Sequence, residues 1–190
     1  MTHTPDFFQQ LAALFQDMDR AWNETARQYD FECTGCEDNC CLSLFFHHTH
    51  IEKAYLVHGF NGLDTAEKNE ILARARAYCD ETFDLDRDTD ASSKKIPCPL
   101  LVDGRCRLYL YRPMICRMHG LPHEIQRPGF PAVTGPGCHA GRFDEKNGRP
   151  FDRTPFYRQM AEIEMGFRIQ TNQSGKIKQT IAQILMEISP

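Results

Sequence analysis

Apolar residues recur at three-to-four spacing near the start of the chain, at Phe7, Phe8, Leu11, Leu14, Phe15, Met18 and Trp22. That period marks one face of an amphipathic helix. Thr4 can cap it and Pro5 suits its first turn, so a helix is expected from Thr4 to about Tyr29. A capping-box pattern, Thr49-His-Ile-Glu52, opens a short helix over 51–58 with Gly59 as its stop. Asp64-Thr-Ala-Glu67 opens another, whose inner stripe runs Ile71, Leu72, Ala75, Tyr78, Cys79 and Phe83. The polar, acidic stretch 84–95 reads as an exposed loop. Asp103-Gly104 between apolar residues signals a two-residue hairpin turn, in which Val102 faces Arg105 and Leu101 faces Cys106. Residues 120–150 are rich in Gly and Pro and read as an irregular loop. Thr154-Pro155 opens a helix with Phe156, Tyr157, Met160, Ile163 and Phe167 inside, and 172–175 breaks it. Ile177, Ile181, Ile184, Leu185 and Ile188 mark a last helix on 176–189.

These elements predict a mainly α fold: one irregular helical domain over 1–190, with a small β-hairpin and C-terminal helices within 154–189. At 190 residues the chain is long enough to bury a core of its own. A net charge of −4 offers no basic field for nucleic acid. No apolar run approaches the roughly 18 residues that a membrane helix needs. Residues 1–6 hold no Lys or Arg and lead into no apolar signal core, which points to a cytoplasmic chain.

Nine cysteines change the picture: Cys33, Cys36, Cys40, Cys41, Cys79, Cys98, Cys106, Cys116 and Cys138. An odd number without a secretion signal favours metal chemistry over a disulfide framework. Thiolate sulfur selects zinc, copper(I) or iron–sulfur clusters over magnesium or calcium. Cys33 and Cys36 have the two-residue spacing that lets both sulfurs reach one metal, and Gly35 permits the tight turn between them. No strand leads into Cys33, which argues against a thioredoxin-like redox motif. Cys79 lies on the inner stripe of a helix and reads as a small buried hydrophobe. Alternation along the hairpin sets Cys98 and Cys106 on opposite faces. Either the ribbon ends before Cys98, at Pro99, or the two thiols serve different sites. His119 and His139 could complete a mixed site, whereas His47, His48 and His50 read as exposed loop residues. Arg112 and Arg117 bracket Cys116, where guanidinium groups would stabilise a net-negative centre; the ordinary alternative for Arg112 is a structural ion pair. The glycine-rich stretch 135–141 lacks the strand–loop–helix context of a nucleotide loop.

Taken together, Cys33-x-x-Cys36-x-x-x-Cys40-Cys41 and Cys98-Pro-Leu-Leu-x-x-x-x-Cys106-x-x-Tyr109-x-x-Arg112-Pro113-x-x-Cys116-Arg117 resemble the YkgJ-type cysteine-cluster proteins, over roughly 31–140. The usual first motif has two residues before the paired cysteines, and three stand here, so which of Cys40 and Cys41 takes the ligand place stays open. The resemblance implies a zinc- or iron-chelating domain. The family also takes in flagellin lysine methylases, but no S-adenosylmethionine motif is evident here and that activity is not carried over. The expectation is a cysteine-lined metal centre with Cys33, Cys36, Cys40, Cys41, Cys98, Cys106, Cys116 and Cys138 as ligands. An iron–sulfur cluster in a redox, cluster-handling or modification-linked role leads. Structural zinc in a module that binds a protein partner is the alternative.

Overall fold

A computed structural model describes residues 4–35, 39–82 and 95–188. Cys36, Phe83 and most of the expected acidic loop lie outside the described residues. The chain is mainly helical and forms two compact units, Met1–Cys40 with Met114–Ser174, and Cys41–Pro113 with Gly175–Pro190. No helix among the described residues is long and apolar enough to cross a membrane.

The first unit is built on α1 (Thr4–Gln28) and α5 (Thr154–Thr171). Phe7, Leu11, Leu14, Phe15 and Met18 are buried on α1, as the period requires. Phe156, Met160 and Phe167 are buried on α5, and Phe7 meets Phe167 edge to face at 5.8 Å. Tyr157, expected inside, is 36% exposed. Asn172 ends α5 in the left-handed conformation, at the expected break. Between these helices in sequence lie the four-residue α4 (Met114–Arg117) and a three-stranded sheet. Here β3 (His123–Ile125) pairs antiparallel with β4 (Val133–Gly135) and parallel with β5 (Phe151–Asp152). The 120–150 stretch is therefore only partly irregular. Its strands are two or three residues long, too short for an alternating pattern to appear.

The second unit holds α2 (His50–Asn61), α3 (Thr65–Thr82), the hairpin β1 (Leu101–Val102)–β2 (Arg105–Cys106) and α6 (Ile181–Glu187). The hairpin has the expected register, Leu101 opposite Cys106 and Val102 opposite Arg105. Asp103 and Gly104 both take positive φ, 49° and 74°, which a two-residue turn of matching twist demands. Leu56, Phe60, Ile71, Ala75, Tyr78, Leu100, Leu108, Ile181, Ile184 and Leu185 form the core.

Two boundaries depart from the expectation. Gly59 does not stop α2, which runs on to Asn61. A Cβ on Gly59 would lie 2.3 Å from the Tyr111 ring, so this glycine serves close packing inside the helix. The last helix begins at Ile181 rather than 176, because His47 and Gln179 exchange backbone hydrogen bonds of 2.7 and 3.1 Å and draw the preceding segment into extended form. A capping box between Thr180 and Gln183 then starts α6. Thr49 differs from its expected capping role: its hydroxyl donates to the Glu52 carboxylate and accepts no helix N–H.

His47, expected on an exposed loop, is 3% exposed. Burial, with the charge of His48 adding, pushes its pKa down to about 4. The ordinary value of about 6.5 applies once the chain unfolds. Between the two, the unfolded state binds the proton and the folded state does not, so stability falls as pH drops from about 6.5 and levels off near 4. The expected loss is roughly 2–3 kcal/mol. Urea unfolding at pH 7 and pH 4.5 should show it, with a smaller loss in His47→Gln. Equal losses in both proteins would contradict the assignment.

Candidate metal centre

In the second unit the chain passes Cys41 and Cys98 side by side. The Cys98 N–H donates to the Cys41 carbonyl at 2.7 Å, and the Leu101 N–H donates to the Cys98 carbonyl at 2.9 Å, closing a tight turn. Pro99 inside that turn is buried, and its carbonyl accepts from Arg74 Nε on α3 at 3.0 Å. The ribbon begins at Leu101, so Cys98 stands outside it and the face argument does not separate Cys98 from Cys106. Both thiols are half-buried and pack against the same core. Cys79 on α3 packs there too. Burial, with Asp80 adding, raises its pKa and keeps it a neutral thiol. Burial and the nearby Cys98, Cys79 and Glu81 push the Tyr78 pKa up to about 12, so its phenol also stays neutral. Arg112 lies over the Tyr109 ring, 3.9 Å from its centroid.

In the first unit Cys33 is exposed in irregular chain beyond α1, Cys40 is half-buried, and Cys36 lies outside the described residues. Cys116 is half-buried on α4, and Cys138 is buried. These last two belong to one corner, because the Cys138 N–H donates to the Gly120 carbonyl at 2.8 Å. Arg117 is 5% exposed, pairs with Asp19 of α1 at 2.6 Å and stacks 4.2 Å from the Phe15 ring centroid. The Trp22 indole N–H donates to the His119 carbonyl at 2.9 Å, and Arg153 Nη2 donates to the Met118 carbonyl. His119 is half-buried and His139 exposed. His123 has its pKa lowered by burial and by the positive Arg153 and His119, against a raising hydrogen bond to the Leu121 carbonyl.

The candidate sulfurs are soft donors, and the segments of Cys41, Cys98 and Cys138 are held by long-range backbone bonds. Among the described residues, however, no three His, Cys, Asp or Glu side chains gather into a metal-holding group. Sequence reasoning missed Asp19, Trp22, Arg74 and Arg153, whose partners lie far along the chain. The one local signal was Trp22 itself, since a buried indole N–H needs an acceptor. No family profile matches the chain, and no curated protein or solved structure matches it.

Gly137 anchors the corner. Its φ is +83°, and a Cβ there would stand 2.7 Å from Pro122 N and 2.8 Å from the Gly120 carbonyl oxygen. Backbone on both sides leaves the clash no cheap relief. Gly137→Ala is expected to lower unfolding free energy by about 2 kcal/mol or more, from strain and overpacking together. A urea midpoint equal to wild type would refute this account of the corner.

Proposed function

We propose that this chain is a metal-binding cysteine-cluster protein. Its leading occupant is an iron–sulfur centre, in a redox, cluster-handling or modification-linked role. Cys33, Cys36, Cys40, Cys41, Cys98, Cys106, Cys116 and Cys138 supply the ligands. The observation that carries the reading is that a long-range backbone bond ends on a cysteine in each unit. Cys98 is tied to Cys41 across 57 positions of sequence, and Cys138 to Gly120, four residues past Cys116. The first bond sets two cysteine-bearing segments side by side, and the second sets Cys138 beside the residues that follow Cys116, as shared ligation would use. The spacing that resembles the YkgJ-type proteins supports the same reading. When bound, such a centre supplies one-electron chemistry tuned by nearby cations and hydrogen bonds. The chain's own residues hold the sulfurs in place; Arg112 and Arg117 are the cations that bracket Cys116 in sequence, Arg117 being paired with Asp19.

Structural zinc is the alternative occupant, favoured by the irregular chain on which Cys33, Cys40, Cys41, Cys98 and Cys138 lie. The ligand set is tested by metal analysis of purified single variants. Cys98→Ser and Cys116→Ser are expected to lose at least half of the bound metal, and Cys79→Ser to keep it. Equal loss from Cys79→Ser, or full retention in the other two, would overturn the assignment.

A further inference from the structure

Four consecutive residues that follow Cys116 are each held from a distance. The Arg117 guanidinium is paired with Asp19 of α1. The Met118 carbonyl accepts from Arg153 Nη2, the residue before α5. The His119 carbonyl accepts from Trp22 Nε1 of α1 at 2.9 Å. The Gly120 carbonyl accepts from Cys138 N at 2.8 Å. The Met118, His119 and Gly120 carbonyls lie just past α4, in chain with no ladder to join, and these donors meet that need. Three donors on three successive carbonyls also do more: they fix the path of the chain that carries the Cys116 side chain.

Arg153 is a costly way to meet the need. It is 5% exposed; its guanidinium also bonds the Tyr157 side chain, and its buried Nε–H has no acceptor among the described residues. Leaving a charged donor unsatisfied in the interior opposes folding. Its backbone is locked as well, N–H to the Glu124 carbonyl at 2.9 Å and carbonyl to the Tyr157 N–H at 3.1 Å. Local choices that cost stability mark functional places more often than structural ones.

We infer that Trp22 and Arg153 are positioning residues for Cys116, fixing the path of the corner at 116–120 before any metal arrives. The inference rests on the metal-binding reading above. Pre-set geometry removes the entropy that a loose loop would lose on ligation, and it shows in affinity. Outer partners of metal ligands typically matter by about 10–100-fold in metal affinity.

The test uses the full chain, purified metal-free under nitrogen and titrated with cobalt(II) chloride, followed by thiolate-to-cobalt absorption. Trp22→Phe keeps an aromatic ring against Phe31, 6.1 Å away between centroids in the native protein, and removes the N–H with part of the indole. Trp22→Phe and Arg153→Met are expected to weaken cobalt binding about tenfold or more. Arg153→Lys, which keeps a charged donor for Met118, should recover part of the loss. The metal-free melting temperature of Trp22→Phe should drop by several degrees, as loss of one neutral hydrogen bond and part of a half-buried ring implies. Should Arg153→Met fail to fold, Trp22→Phe carries the test alone. Cobalt affinities equal to wild type would overturn the inference and leave the metal reading standing. A wild-type chain that takes up no cobalt would overturn both.

Discussion

A carbonyl buried in irregular chain has no ladder to join, and leaving it without a donor opposes folding by about 1–3 kcal/mol. The cysteine-bearing segments around Cys98 and after Cys116 are of this kind. The structure meets the constraint with donors from far away in sequence. In the second unit Cys98 N–H finds the Cys41 carbonyl and Arg74 finds that of Pro99. In the first unit Arg153, Trp22 and Cys138 N–H take the carbonyls of Met118, His119 and Gly120 in turn. The helices α1, α3 and α5 are the platforms from which, or beside which, these donors reach. Their apolar faces supply stability, and their polar positions supply the fastening.

The regular elements were legible in the sequence because their signals are local. The stripe from Phe7 to Met18 is buried, the Asp64 carboxylate caps α3 by accepting from Glu67 N–H, and Asp103-Gly104 makes the expected turn. Where the reading slipped, a long-range contact had overruled a local rule. Gly59 looked like a stop, but the Tyr111 ring needs the space that a side chain would fill. The segment before α6 looked helical, but His47 pairs with it. The capping box Thr180-Ile-Ala-Gln183 sets the true start, whereas the apolar period runs back to Ile177.

The candidate site was half legible. Residue type and spacing pointed to sulfur chemistry, and they set Cys79 apart as a buried core thiol; the structure has it half-buried, against the same core as Cys98 and Cys106. Spacing alone could not say that Cys98 leaves the hairpin at Pro99, since that depends on a turn closed by Leu101 N–H. Nor could it reveal Trp22 or Arg153 behind the corner at 116–120. Trp22 counts as one more apolar position on a helix until its partner 97 residues away is known. Arg153 counts as a surface charge until its burial is seen.

Metal binding through thiolate is the claim on which the functional account stands. It is tested most directly by elemental analysis and an absorption spectrum of the full chain purified without oxygen. The account predicts metal at whole-number stoichiometry, with iron accompanied by acid-labile sulfide and a broad visible absorption. Protein that carries no stoichiometric metal, with its cysteines all reactive towards a thiol reagent, would contradict it.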